Sequence, residues 1–585
     1  MTGTEASAAP TRRDRFALRA LQVGAVAVVL VAATWKDFEL DRFFMPKELV
    51  LHATALIAGV LLLRAVAARV RFTWVDACLV AYLALGVASA VLATNPWAAV
   101  RALTITASGL IVFWAARALR GVDLHVPLLR ALALAVIIGA ATSLLQTYGV
   151  ESDFFSINRA PGGTLGNRNF IAHMAAFGLP ALLWAALASP KALRSVIASA
   201  GATLVAATLI LTRSRAGWLA LAAVLAVFLV ALIASPALRT HGRTWLRTLA
   251  MLGLAAAGVA GALVLPNDLR WRGENPYLDS VRGVANYQEG SGAGRLVQYR
   301  QSLAMAARHP VLGVGPGNWP VEYADHAAAG DPSMSGSESG VTSNPWPSSD
   351  WVAFASERGF PALVLLTLAM LGILLRGVRR LFRARDPVDA LSATALIATL
   401  LATIVAGTFD AVLLLALPTL IVWAALGALW GADDPPAVTG AVIASAVGAH
   451  ATNASPRHVT SAAHDAASLA HDAPTAPMAG PEMPPGRRFD GVRRVAFAAV
   501  LLIAAVGTLR SAMQVTSMGM YSMSTRNSVL SAAALLDPGS YRLRVRLARP
   551  GSGLNRASRC AHARTAHALY PNAGEAARLA RSCPD

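Results

Sequence analysis

Apolar runs of about twenty residues recur along almost the whole chain, and each is long enough to cross the hydrocarbon core of a bilayer as a helix. Thirteen can be placed, near residues 17–35, 48–68, 74–93, 99–118, 127–148, 168–188, 195–212, 215–234, 247–265, 351–376, 388–407, 410–430 and 493–509. The expectation is an all-α integral membrane protein with about twelve core spans and a thirteenth beyond them. Composition agrees, with 55% hydrophobic against 14% charged residues and a mean hydropathy of +0.52. The formal charge of +19 does not indicate nucleic acid, because the arginines sit mainly in short loops between spans. The first apolar run is not followed by a small-residue cleavage site, so it is read as a retained span.

Arginine and lysine set the expected topology. Arg12/Arg13/Arg15/Arg19, Arg64/Arg69/Arg71, Arg117/Arg120/Arg130, Lys191/Arg194, Arg239/Arg243/Arg247 and Arg376/Arg379/Arg380/Arg383/Arg385 fall in alternate loops, which are therefore cytoplasmic. That places the N-terminus (1–16) inside and the long loop, about 266–350, outside. The odd thirteenth span sends the tail, 510–585, outside too. Residues 431–492, rich in Ala, Pro, His, Thr and Asp without helical periodicity, are expected to be a disordered cytoplasmic linker. Its histidines, His450, His458, His464 and His471, lack zinc-site spacing and have no nearby cysteine.

The long loop is the part the rest is built to hold. Its polar stretch runs from Arg295 to Gly359: an amphipathic helix, a Gly/Pro turn (HPVLGVGPGNW), a Gly/Ser-rich arm and NPWPSSDWVAFASERGFPAL as the next span starts. A loop of this length is functional or disordered, and this order of parts favours function. Arg213 and Arg215, in LTRSRAGW, break the inside pattern by sitting in a tight turn on the outer side. One explanation is interfacial snorkelling; the other is phosphate binding by the planar guanidinium fork. INRAPGGTLGNRNFIAH (Ile157 to His173) offers the amides of Asn167 and Asn169 either as an N-cap or to a ligand. His173 reads as a packed interior histidine. Together the outer face gathers Arg213, Arg215, Arg295 and Arg300 with one carboxylate, Asp350, at the mouth of the tenth span. Outward-facing cations suit a lipid-linked diphosphate, whose charge they would stabilise as it leaves. Walker loops, dinucleotide fingerprints and catalytic metal clusters are absent from the sequence.

Beyond the thirteenth span, SVLSAAALLDPGSYRLRVRLA and ASRCAHARTAHALYPNAGEAARLA read as short amphipathic helices and resemble a degenerate tetratricopeptide unit. Too small to stand alone, it should dock on the loop or on a protein partner. Of the three cysteines, Cys560 and Cys583 both fall in this tail, where an oxidising compartment would allow a disulfide, and Cys78 lies inside the third span.

SRAGW, GTLGNRNFIAH, HPVLGVGPGNW and DWVAFASERGFPAL, in that order, resemble the bacterial O-antigen ligase and polymerase superfamily over roughly residues 20–430. The resemblance implies a multi-pass glycosyltransferase of the inner membrane that uses neither metal nor nucleotide cofactor. It would pass a glycan from undecaprenyl diphosphate, on the periplasmic face, to lipid A core, a growing polysaccharide or protein. It also implies that Arg215 and Arg295 hold the diphosphate. Two departures stand out. The histidine proposed in the family to activate the acceptor hydroxyl is replaced, the aligned positions reading Ser348, Ser349 and Asp350, and Arg168 stands for the proline of the Asn-Pro-Asn motif. Glu357 retains the family's glutamate. Asp350 could serve as the base, His326 could reach in from the arm, or the chain could be a non-catalytic scaffold of polysaccharide assembly. A lipid-linked oligosaccharide transporter is the alternative from another class, and it predicts internal repeats that the sequence does not show.

Overall fold

The computed structural model describes residues 9–271, 275–283, 290–431 and 485–584. Most of the expected linker, with its four histidines, lies outside the described residues. The chain divides into two units, one formed by Met1–Gly431 with Ala496–Asp585 and the other by Ala432–Val495. All four sequence motifs of the long loop and its neighbouring spans fall in the first unit.

Among the described residues of that unit every regular element is a helix, apart from one isolated bridge between Met334 and Thr342. The principal helices are α1 (Arg12–Leu30), α2 (Asp41–Arg69), α3 (Trp74–Val91), α4 (Pro96–Arg120), α5 (His125–Thr147), α6 (Arg168–Leu187), α7 (Ala192–Leu211), α8 (Arg215–Ala234), α9 (Gly242–Val264), α10 (Gly290–Arg308), α11 (Asp350–Arg383), α12 (Pro387–Phe409) and α13 (Ala416–Leu429). After them come α14 (Pro485–Met523), α15 (Asn527–Leu536), α16 (Tyr541–Ala548), α17 (Arg556–Leu569) and α18 (Gly574–Arg581). Among the described residues, eleven helices are long and apolar enough to span a membrane. Two of the thirteen expected spans fall short for visible reasons. The first carries Arg12, Arg13, Asp14, Arg15 and Arg19 in its opening turns, and α13 has 14 residues. α13 is buried along its length, and α6 and α12 nearly so, which makes them the centre of the bundle. The remainder wraps them, with α9 the most exposed span.

The arginine-rich loops gather at one end of the bundle and bond there to helix termini. Arg120 donates to the Ala428 carbonyl at 2.9 Å, Arg380 to Leu429 at 2.7 Å and Arg376 to Trp430 at 2.9 Å, so three cations cap the C-terminus of α13. Asp14 pairs with Arg69, and Asp76 with Arg117 and the Trp114 indole.

At the opposite end α11 breaks. Gly359 adopts φ +81°, and a Cβ there would meet the Val311 carbonyl at 2.2 Å, so no side chain fits. The break frees backbone groups that the glycine-rich turn after α10 satisfies. Phe360 N–H donates to the Pro310 carbonyl, Val314 N–H to Ser356 and Gly315 N–H to Glu357, at 2.9–3.0 Å. Glu357 completes the joint by accepting from the amides of Gly317 (2.8 Å) and Trp319 (3.3 Å). Beside it Arg358 is buried, donating to Thr106 and lying 4.8 Å from the Tyr82 ring. The motif thus locks the loop turn to the span.

The tail packs on the same end. α17 and α18 are joined by the Cys560–Cys583 disulfide, and the turn between them meets the loop arm, where Gly574 N–H donates to the Ser339 carbonyl at 2.9 Å. The Tyr541 hydroxyl donates to the Glu338 carboxylate.

Candidate active site

The segment before α6 is held rigidly by side chains that would otherwise be unsatisfied. Buried Lys47 donates to the carbonyls of Val29, Val31 and Thr164; Gln146 takes Gly163 N–H at 2.8 Å and gives to the Ser156 carbonyl at 2.9 Å; Ser143 donates to Pro161. Gly166, at φ +76°, lies so close to Phe43 that a Cβ would stand 2.3 Å from the ring. Asn167 then caps α6, accepting from Asn169 N–H at 2.9 Å.

This segment separates two cavities. Arg159, Asn167 and Asn169 face one of about 450 Å³, and Asn158, Ala160 and Arg168 face one of about 1740 Å³. The smaller is closed by α10, the loop arm and the turn after α12, through Arg295, Gln298, Ser333, Trp346, Ser348 and Asp410. Its walls follow from helical spacing on α10. Gln298 accepts from Ser348 N–H at 2.6 Å and donates to Ser333 at 3.1 Å; the Tyr299 hydroxyl lies 2.6 Å from the Ser348 carbonyl; Ser302 accepts from the Trp319 indole at 2.8 Å. Arg295, on the same face, has no hydrogen bond or ion pair among the described residues, and the Asn169 side chain has none either. The arm is anchored by Tyr323, which donates to Asp331 at 2.7 Å; burial and that bond push the phenol's pKa above its usual value.

The larger cavity takes the other pair of arginines. Arg213 donates to Ser280 at 2.9 Å, and its guanidinium and that of Arg168 each lie 4.8 Å from the Trp271 ring. Arg215 donates to the Gly283 carbonyl. Arg270 and the carboxylates of Asp268 and Asp279 complete a mixed-charge lining.

The expected convergence is therefore divided. Arg295, Asn167 and Asn169 meet in one cavity, and Arg213 and Arg215 line another, because the segment 157–169 stands between them. Arg300 is exposed on α10 and lines neither. His326 also lines neither; its ring lies between Arg308 (3.4 Å) and the Glu322 carbonyl (3.3 Å). Asp350 is fully buried and accepts from the backbone N–H groups of Val412 and Leu413, both at 2.9 Å. A carboxylate with that surrounding holds a loop, and the loop it holds presents Asp410 to the cavity. Sequence reasoning missed Asp410 by counting it into the span 410–430. Its signal was an acid at the boundary of an apolar run. Among the described residues no group of three His, Cys, Asp or Glu is placed to hold a metal ion.

Residues 200–367 match the family model described as O-Antigen ligase. The match begins in α7, takes in the Arg213–Arg215 turn and α10, and ends beyond the break in α11. No curated protein matches the chain.

Proposed function

We propose, on the match of residues 200–367 to the family model described as O-Antigen ligase, that this membrane protein moves a glycan from undecaprenyl diphosphate to a hydroxyl acceptor on the periplasmic face of the inner membrane. The observation that carries this reading is the guanidinium of Arg295, without a hydrogen-bond or ion-pair partner among the described residues, in a polar cavity shared with one carboxylate, Asp410, and three asparagines, Asn167, Asn169 and Asn344. In the reaction the acceptor oxygen bonds to the anomeric carbon and the bond from that carbon to phosphate breaks. The diphosphate leaves with the electron pair and gains charge. Arg295 stabilises that charge, and the amides of Asn167 and Asn169 orient the sugar or the phosphates. Asp410 takes the proton from the acceptor hydroxyl, the role the sequence suggested for Asp350. Arg213 and Arg215, together with Trp271, serve the larger cavity, whose aromatic face and mixed charges suit the second glycan-bearing substrate.

Ser348 at the cavity wall, where the family has histidine, favours a second reading, a scaffold that binds lipid-linked glycan without turning it over. Purified full-length protein with undecaprenyl-diphosphate-linked oligosaccharide separates the two. The transferase consumes donor, and Arg295→Ala lowers the rate by about 10²–10³-fold, the usual cost of losing one group that stabilises developing charge. Donor binding without consumption in the wild type leaves the scaffold.

A further inference from the structure

His173 lies one helical turn beyond Asn169, on the same face of α6, so it sits directly behind the smaller cavity. Its ring is buried, 1% exposed, and neither nitrogen has a hydrogen-bond partner among the described residues. A buried imidazole with both nitrogens unpaired forfeits hydrogen bonds worth about 1–3 kcal/mol, a cost for which packing alone gives no reason. The ring borders a void of about 20 Å³, room for one water, with Lys47, Phe44, Phe170 and Ala411. Phe170 also lines the smaller cavity, and Ala411 follows Asp410 in the chain. Lys47 from α2 borders the same void, and the charges of Asp410, from the turn after α12, and Arg295, from α10, both lining the smaller cavity, act on the ring. Lys47 already donates to three carbonyls, so it has no role in accepting a proton.

Resting on the glycan-transfer reading, we propose that His173 is the proton acceptor behind Asp410: the proton leaves the acceptor hydroxyl for the Asp410 carboxylate and passes through the void to an imidazole nitrogen, which returns Asp410 to its ionised form as the diphosphate departs. The step forms the oxygen–carbon bond and breaks the carbon–phosphate-oxygen bond. The proton ends on His173 until solvent removes it after product leaves. A histidine is thereby supplied from α6, in a chain whose arm carries Ser348 at the family's histidine position.

The test uses full-length protein in detergent or nanodiscs with the lipid-linked donor. His173→Gln keeps hydrogen-bonding capacity and removes the titrating ring; it should lower kcat by about 10²-fold, in the range for general acid–base groups, with KM changed less than twofold. His173→Phe should match it. A His173→Gln protein with wild-type kcat, or one that changes only KM, overturns the relay. A second readout does not depend on turnover. In protein labelled with ¹⁵N-histidine, Asp410→Asn should lower the pH at which the His173 ring protonates, because a neighbouring carboxylate favours the cation. An unmoved ring signal also overturns the relay. A moved signal in a protein that consumes no donor supports the pairing of the two residues and rejects the transferase reading alone.

Discussion

The break in α11 and the mouth of the smaller cavity use the same kinds of side chain for opposite purposes. At the break the carboxylates are occupied by the fold: Glu357 by Gly317 and Trp319, and Asp350 by Val412 and Leu413. At the mouth Arg295 and the Asn169 amide are left without protein partners among the described residues. Membership in a motif therefore does not mark a residue as chemical; what separates the two groups is whether the backbone already holds their hydrogen-bonding capacity. Asp350 accepts backbone N–H groups through both of its oxygens and builds the cavity, whereas Asp410, which lines it, accepts one, Ala411 N–H at 2.9 Å, through a single oxygen.

The pair that breaks this comparison most sharply is Asp410 and Asp350. Asp410→Asn should lower kcat by about 10²–10⁴-fold, the usual contribution of a general base, with the melting temperature unchanged. Asp350→Asn should do the reverse. An amide replaces one accepting oxygen with a donor, so one of the Val412 and Leu413 N–H groups loses its partner, and stability should fall by about 1–3 kcal/mol. Its activity loss should be smaller than that of Asp410→Asn and should follow the displacement of the turn. Thermal unfolding and donor turnover on the same preparations decide between them. If Asp350→Asn is inactive and fully stable, the division of labour between the two carboxylates is wrong.

How much of this was legible in the sequence depended on the range of the interactions. The all-helical membrane bundle was legible, because a twenty-residue apolar run has one stable outcome in a bilayer. The order of polar parts in the loop was legible for the same local reason, through glycine, proline and helical spacing. The placing of Arg295 with Asn167 and Asn169 could be guessed from their position at one end of neighbouring spans. The separation of Arg213 and Arg215 from Arg295 could not, since it depends on Lys47 of α2 bonding to Thr164 more than a hundred residues away. The partners of Asp350 were not legible for a similar reason: the Val412 and Leu413 amides lie some sixty residues downstream and are ordinary backbone groups that no motif announces.

A more modest effect sharpens the contrast between the two cavities. If the larger cavity receives the second substrate, Arg213→Ala should raise KM for the acceptor by about tenfold, the equivalent of one charge-assisted hydrogen bond, and leave donor affinity and kcat near wild type. The change also removes one of the two guanidinium groups beside Trp271. A rise in donor KM equal to that of Arg295→Ala would join the two cavities into a single diphosphate site.

The smallest expected effect concerns the tail, whose contact with the arm is a third kind of polar interaction: partly exposed, but bearing on the cavity wall. The Tyr541 hydroxyl donates to Glu338, and Gly574 to the Ser339 carbonyl, a few residues from Ser333 and Asn344, which line the smaller cavity. Tyr541→Phe deletes the first bond and keeps the ring against Tyr570, so the helices of the tail retain their packing. Both groups are partly solvated, and Glu338 can exchange its lost partner for water. The change should therefore cost no more than about 0.5–1.5 kcal/mol of local stability. That loss should appear as faster amide exchange over residues 336–342 with exchange in α6 and α12 unchanged. Turnover should fall about twofold, through looser placement of Ser333 and Asn344. Unchanged exchange in the arm would mean that the tail leans on the loop without bracing it, and the cavity wall would then owe its position to α10 and the Tyr323–Asp331 bond alone.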